Sequence, residues 1–324
     1  MLYYSCFDSI SFILIEFMRC MVKKAFKIIL IVLVGIAVLF GVIQLIPVKD
    51  VIDNNPFTAS SYGRPLVIAH GGAKDLFPEN TMVAFDGSIE IGIDMLEIDV
   101  CLTKDDILIT HHDRTIDDMT DGSGEIQSFT FEDLKVFNFG YGFKALDGSY
   151  PYRDSSVPVT ALEEVFAKYP DMLYNVEIKN DGEVGEKAAA ILYALIDKYD
   201  LYDNILVPSF HDETINHFRQ LTDGAVYTSS AREETKKFIY CHLAQVDNLV
   251  FDVKYEAMQL PLENSGVNLA TKAIINDAHR RNIAVHYWTI DDPETMKELI
   301  LMGADGIITD RPDLLNEVLK DMGY

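Results

Sequence analysis

From Pro65 to the carboxyl terminus, strand-like apolar runs alternate with amphipathic helical patterns, and this alternation constrains the fold more than any other feature. The runs lie at 65–70 (PLVIAH), 95–100 (MLEIDV), 174–179 (YNVEIK), 205–210 (ILVPSF), 225–229 (AVYTS), 248–253 (NLVFDV), 284–289 (AVHYWT) and 306–309 (GIIT). Helical patterns such as 185–200 (GEKAAAILYALIDKYD) and 269–282 (LATKAIINDAHRRN) fall between them. Eight strands with intervening helices predict an α/β fold, a (β/α)₈ TIM barrel. An open doubly wound sheet competes, but it usually carries a GxGxxG loop after its first strand. Here residues 70–80 read HGGAKDLFPEN instead.

One run breaks the alternation. Residues 107–113 (ILITHHD) follow the second strand after only six residues, which predicts a hairpin over 95–112 rising from the barrel rim. With a two-residue turn at Asp105-Asp106, Asp99 lies opposite His112, and Glu97 points the same way as Asp99. Residues 114–158 are too long for a plain loop and read as a small insertion. They hold Phe129, Phe131, Phe137, Phe139, Tyr141, Phe143, Tyr150 and Tyr152. A segment so aromatic either caps one side of the barrel mouth or packs only on itself.

Ahead of the barrel, Ile28 to Ile46 reads IILIVLVGIAVLFGVIQLI, without a charge. A helix over 28–46 is long enough to cross a bilayer at about 1.5 Å per residue. Lys23, Lys24 and Lys27 precede it, whereas Lys49 on the far side is balanced by Asp50 and Asp53. The excess of positive charge predicts a single-pass cell-membrane protein with residues 1–27 cytoplasmic, 47–63 a linker and the barrel, 64–324, outside. A cleaved signal peptide is the rival, but the run is long for one and lacks a small-x-small exit. Residues 1–20 carry Asp8 and Glu16 and resemble neither a second span nor an ordered domain; Met21-Val-Lys-Lys is the expected start of translation.

A net charge of −24 argues against nucleic acid as a partner. Cys6, Cys20, Cys101 and Cys241 are too scattered for a disulfide framework or a CxxC metal site. The active end of such a barrel is the carboxyl rim. Its strand tips offer His70, Glu97, Asp99, Glu177, Lys179, Ser209, Phe210 and Trp288, with His112 across the hairpin. Three carboxylates buried together need a cation or a proton. Glu97, Asp99 and Glu177 therefore read as oxygen ligands for one hard divalent ion, Mg²⁺ or Ca²⁺. Lys179 adds positive charge for a developing oxyanion, and His70 and His112 supply a base and an acid. Gly71 and Gly72 let a phosphate approach backbone N–H groups. That set suits cleavage of a phosphodiester.

The chain resembles the glycerophosphodiester phosphodiesterases. The resemblance spans Pro65 to the carboxyl terminus and rests on AHGG, FPENTMVAF, GIDMLEIDVCLTKDD, ITHHD, NVEIK, WTIDD and GADGIITDRPD, in the family's order. It implies a phospholipase-C-like TIM barrel with an insertion after the HD motif, hydrolysing glycerophosphodiesters to glycerol phosphate and an alcohol. It implies His70 and His112 as the acid/base pair and Glu97, Asp99 and Glu177 on the metal. Lys179 would contact phosphate and Trp288 would line the glycerol or headgroup pocket. In related enzymes the substrate's own glycerol 2-hydroxyl attacks phosphorus, giving a cyclic phosphate that water opens. One departure stands out: the family usually places Arg directly after the first His, where this chain has Gly71. Lys74 either substitutes in part or is a solvated loop lysine. Two further readings stay open: the same chemistry on (lyso)phospholipid or a glycerol-phosphate polymer, and a catalytically inactive, membrane-tethered barrel that binds a phosphate-bearing ligand.

Overall fold

The computed structural model describes residues 2–49, 51–249 and 253–324. In chain order the strands are β1 (Leu66–Ala69), β2 (Met95–Leu102), β3 (Leu108–Thr110), β4 (Leu173–Ile178), β5 (Ile205–Val207), β6 (Tyr227–Thr228), β7 (Ala257–Leu260), the short pair β8 (Glu263–Asn264) and β9 (Val267–Asn268), β10 (Ala284–Tyr287) and β11 (Gly306–Thr309). Among the described residues, eight of them form a nearly closed parallel barrel in the order β6-β5-β4-β2-β1-β11-β10-β7. A bridge between Ser229 and Ala257 joins its two ends. The helices are α1 (Leu2–Gln44), α2 (Ala59–Tyr62), α3 (Met82–Ile91), α4 (Phe131–Leu134), α5 (Leu162–Lys168), α6 (Gly182–Tyr199), α7 (Asp212–Thr222), α8 (Arg232–Leu243), α9 (Lys272–His279), α10 (Pro293–Met302) and α11 (Pro312–Asp321). Their starts follow local chemistry. Thr81 caps α3, Thr271 caps α9, and Asp292 caps α10 ahead of a proline at the first helical turn.

Strand β2 shows how the pattern makes the core. All eight of its residues are buried, as a strand covered on both faces must be. Leu96, Ile98, Val100 and Leu102 pack outward against the helical layer. The odd positions Met95, Glu97 and Asp99 step up the barrel interior, apolar at the floor and acidic at the mouth.

Two sequence expectations are corrected. Residues 250–252 of the predicted sixth run lie outside the described residues, and Asp247–Leu249 form a 3₁₀ turn. The barrel strand in that position is β7, placed by its pairing of Ala257 with Ala284 and Leu260 with Tyr287. AMQL is too short and too polar to announce a strand without that neighbour. The hairpin register is also one residue away from the expected one: Val100 pairs with Thr110 and Leu102 with Leu108. Its loop has three residues, closed by the Thr103 N–H donating to the Ile107 carbonyl (3.0 Å), with Asp106 left-handed at φ +68°. Asp105 accepts from the Thr103 hydroxyl at 2.7 Å and the Phe131 N–H at 2.9 Å, tying the turn to the insertion.

The insertion packs on the hairpin and on itself. Ile116, Ile126, Leu134, Phe139 and Val157 form one apolar cluster with Cys101 and Ile109, and Phe129, Phe131, Phe137 and Tyr152 cover it. None of the residues lining the cavity at the barrel mouth comes from 114–158, and the segment reaches the rim through Arg114, which pairs with Asp181 at 2.8 Å.

Residues 2–20 continue the same helix α1 as the apolar run, and that helix ends at Gln44, two residues before Ile46. It is long and apolar enough over Glu16–Gln44 to cross a membrane. The polypeptide then closes the barrel floor, the amino-terminal end of the strands. The Asn55 side-chain amide donates to the Glu256 and Asn282 carbonyls (2.6 and 2.7 Å), and the Ala59 N–H donates to Asp305 (2.8 Å). Phe57 enters the barrel beneath Leu66, Ile68, Met95 and Ile308 with no exposed surface. Phe57→Ala should therefore cost about 3–5 kcal/mol, read as an earlier urea midpoint of the solubilised protein.

Candidate active site

The carboxyl rim surrounds a cavity of about 520 Å³ lined by His70, Glu97, His112, Glu177, Lys179, Phe210 and Trp288 among others. The sheet register explains the grouping: Asp99 on β2 lies beside Glu177 on β4, and Glu97 beside Asn175 one layer below. Glu97, Asp99 and Glu177 are 4%, 1% and 8% exposed, and each offers an oxygen within 4.8 Å of the others.

Each carboxylate has a distinct set of partners. Glu97 accepts from the Gly71 N–H at 2.7 Å. Asp99 accepts from the Asn80 side-chain amide at 2.9 Å, while its own N–H donates back to Asn80 at 3.0 Å. Lys179 Nζ stands 2.9 Å from Asp99 and 3.1 Å from Glu177. Burial and the neighbouring Asp99 push the Glu97 pKa up to about 7. Burial also raises Glu177. Burial acts the same way on Asp99, but Lys179 and Lys74 outweigh it and hold that carboxyl well below its usual range. Burial disfavours the Lys179 ammonium, yet Asp99, Glu177 and Glu97 together keep it firmly charged.

A divalent cation fits this donor set. All three groups are hard oxygen ligands within reach of one another, and burial beside Asp99 pushes the Glu97 pKa up even with Lys179 and Lys74 nearby, so the cluster favours one more positive charge.

His70 follows β1 directly, and its Nδ1 is 2.6 Å from Asp310 at the tip of β11. Burial lowers the His70 pKa, but the Asp310 hydrogen bond and the Glu97 charge more than compensate, so it is raised. Asp310 is a residue that sequence reasoning left without a role, although it stands at a strand tip within GADGIITDRPD; only the β1–β11 pairing brings it to His70. Asn80, from the FPENT segment, is a second such residue.

The two hairpin histidines separate cleanly. His111 lies opposite Asp99 in the register, its N–H donating to the Asp99 carbonyl at 2.9 Å. Its ring nevertheless turns into the insertion, with Nε2 3.0 Å from the Thr115 carbonyl and the ring edge-on to Phe139. Strand alternation stops at Thr110, so His112 is the one that reaches the cavity. His112 lines the cavity although the register that predicted it is wrong, and its Nδ1 stands 2.9 Å from Asp113.

Gly71 has φ +54°, and a β-carbon there would sit 2.8 Å from Lys74 Cε. Lys74 thus fills the space over Gly71, pairs with Glu79 at 2.7 Å and is largely shielded from solvent, unlike a free loop lysine. Gly72 is tighter still, because a β-carbon there would meet Ala84 Cβ at 2.8 Å. Trp288 and Phe210 meet edge to face at 5.8 Å and line the same cavity.

A parallel barrel carrying a buried carboxylate trio, a charged lysine and two imidazoles at its carboxyl rim has the groups that hydrolysis of a phosphate ester calls for. The chain belongs to the glycerophosphoryl diester phosphodiesterase family, whose profile matches residues 70–314. It is 27% identical over 266 residues to the glycerophosphodiester phosphodiesterase of Caldanaerobacter subterraneus subsp. tengcongensis, covering 80% of this chain and 100% of that protein. The fold matches the glycerophosphoryl diester phosphodiesterase domain of a Mycobacterium tuberculosis protein with a TM-score of 0.69 at 18% identity, over 80% of this chain and 99% of the other. An Oleispira antarctica phosphodiesterase solved with the product sn-glycerol-3-phosphate matches with a TM-score of 0.64 at 22% identity, over 81% and 99%.

Two outcomes follow. His112→Ala should lower turnover by roughly 10²–10⁴ without moving the melting temperature, whereas His111→Ala should retain turnover and lose about 1–3 kcal/mol of stability. Asp310→Asn removes the charge that favours the His70 imidazolium. The His70 limb of the pH–rate profile should then shift to lower pH, and kcat should fall by roughly tenfold or more.

Proposed function

We propose that this protein is a metal-dependent glycerophosphodiesterase that releases glycerol phosphate and an alcohol. The observation that carries the reading is that Glu97, Glu177, Lys179, His70 and His112 line one cavity, with Asp99 within 4.8 Å of both glutamates, in a chain of this family. Glu97, Asp99 and Glu177 would hold one Mg²⁺ or Ca²⁺, which when bound supplies positive charge to the phosphoryl oxygens. Lys179 holds a further non-bridging oxygen. The Gly71–Gly72 turn, expected to receive the phosphate, is instead filled: Lys74 covers Gly71, whose N–H donates to Glu97, and Ala84 stands against Gly72. One imidazole takes the proton of the glycerol 2-hydroxyl as its oxygen bonds to phosphorus, while the other gives a proton to the departing alcohol oxygen as its bond to phosphorus breaks. Water then opens the cyclic phosphate to glycerol phosphate, with the two proton transfers reversed. Asp310 fixes the His70 ring and supports its charged form. Phe210 and Trp288 would bind the organic part of the diester.

The proposed topology is a single span over residues 28–46, a linker over 47–63 and the catalytic barrel, 64–324, on the outer side of the cell membrane. The end of α1 meets the loop after α8, where the Gln44 side chain donates to the Gln245 carbonyl at 2.6 Å and the Asn248 side chain to the Ile43 carbonyl at 3.2 Å. That loop belongs to the barrel floor. The mouth is at the opposite end, so a short tether holds it away from the bilayer. This placement favours water-soluble or extended diesters over lipids still seated in the membrane.

The test is glycerol phosphate release from glycerophosphocholine and glycerophosphoethanolamine by the detergent-solubilised full chain. Release with Mg²⁺ or Ca²⁺, its loss with chelator, and weaker cation binding in Glu177→Gln are expected. A folded, cation-binding protein that releases nothing from either diester overturns the reading.

A further inference from the structure

Beyond the carboxylate end, the cavity continues along the loop after β6 and the first turns of α8, where Ser229, Ser230, Arg232, Thr235 and Lys236 line it. Phe210 divides the two halves. Lys179 Nζ and Arg232 Cζ each lie 6.0 Å from its ring centroid, so the two cations are within twice that distance of one another.

Fold stability does not account for this placement. Arg232 is the first residue of α8, where the helix dipole already presents positive charge, and Lys236 one turn on repeats the same sign. Arg232 is exposed and, among the described residues, has no carboxylate in ion-pair contact. The nearby acids are engaged elsewhere, Glu234 with Arg219 at 2.9 Å and Glu233 with Lys236 at 2.6 Å. The Glu233–Lys236 pair is well exposed, and such pairs are weak enough for a ligand anion to displace. In a chain with 51 acidic and 27 basic residues, two cations on one cavity wall reverse the prevailing charge. Hydroxyls stand beside them, with Ser230 Oγ 2.7 Å from Thr235 Oγ1.

We propose that Arg232, Lys236, Ser230 and Thr235 form a second anion subsite, and that the favoured substrate is a glycerophosphodiester whose alcohol carries a phosphate of its own. The proposal rests on the phosphodiesterase reading and names the class of leaving group. The Lys179 side takes the scissile phosphate, Phe210 and Trp288 flank the connecting carbons, and the guanidinium holds the second phosphate through charge-assisted hydrogen bonds. Such a charge is carried either by a glycerol-phosphate chain or by a phosphorylated headgroup.

Calorimetric titration of the full chain would compare glycerophosphoglycerol with the same diester bearing a terminal phosphate on its alcohol. The second ligand should bind roughly tenfold more tightly. Arg232→Gln should bring that ratio close to one, Lys236→Gln should lower it partway, and Lys320→Gln on α11 should leave it unchanged. Equal binding of the two ligands by the native protein, or a ratio that survives Arg232→Gln, overturns the subsite. Glycerophosphoinositol 4-phosphate separates the two sources: tighter binding of the glycerol ligand assigns the chain, tighter binding of the inositol ligand the headgroup. Hydrolysis is followed in parallel. An intact binding ratio without hydrolysis overturns the phosphodiesterase reading and leaves the subsite standing.

Discussion

Three like charges within 4.8 Å of each other, almost wholly out of water, are the constraint around which the barrel mouth is arranged. Left alone, such a cluster would take up protons or open the rim. Instead, Lys179 inserts its ammonium between Asp99 and Glu177, the Gly71 N–H meets Glu97, and the Asn80 side chain clasps Asp99 at both ends, Nδ2 donating to the carboxylate and Oδ1 accepting from the Asp99 N–H. The compensation is incomplete. Glu97 retains a proton affinity near neutrality, which marks the position where one more positive charge would be most stabilising. The need for a backbone N–H there also accounts for the shape of the first turn, in which Gly71 brings the chain close enough to serve Glu97 while Lys74 and Ala84 pack where side chains on the two glycines would stand.

The two ends of the barrel are divided by what fills them. At the floor, Phe57 and the Asn55 side chain use the linker to seal the interior with apolar contact and satisfied amides. At the mouth, the same inward-facing positions one or two residues further along each strand become acidic, basic or aromatic. Because strand side chains alternate, β2 can pack Leu96, Ile98 and Val100 outward while placing Glu97 and Asp99 inward, so stability and chemistry occupy opposite faces of one strand. The apolar helix α1 joins at the floor, which leaves the chemical end unobstructed.

Much of this was legible in the residues. The alternation of runs announced the barrel, since a strand and a helix differ in period and each run kept its own. The acidic trio was readable because its members sit at strand tips, where backbone direction alone fixes the end of the barrel they occupy. The hairpin was less legible. Asp105-Asp106 reads as a two-residue turn, but Asp106 adopts the left-handed conformation as the third residue of a longer loop, which moves the register by one. His112 reaches the cavity because the strand has ended, and no alternation rule covers a residue beyond the last ladder pair. Strand β7 was misplaced for a related reason: four residues with a glutamine among them have too little hydrophobic signal, and pairing with β10 supplies what the local sequence lacks.

Local order alone settled the alternation of strands and helices, the apolar run ahead of them, and the type of group at the strand tips that were read. Contacts between segments far apart in the chain were decided only in the folded barrel. Asp310 meets His70 across 240 residues because β11 closes against β1. Arg232 faces the same cavity as Glu97 because the ring of strands brings β6 around to it. Lys74 fills the space over Gly71 because a left-handed turn folds it back. Such contacts are set by closure and packing, whose energies depend on every strand at once, and a linear pattern carries no record of which tips will share a rim.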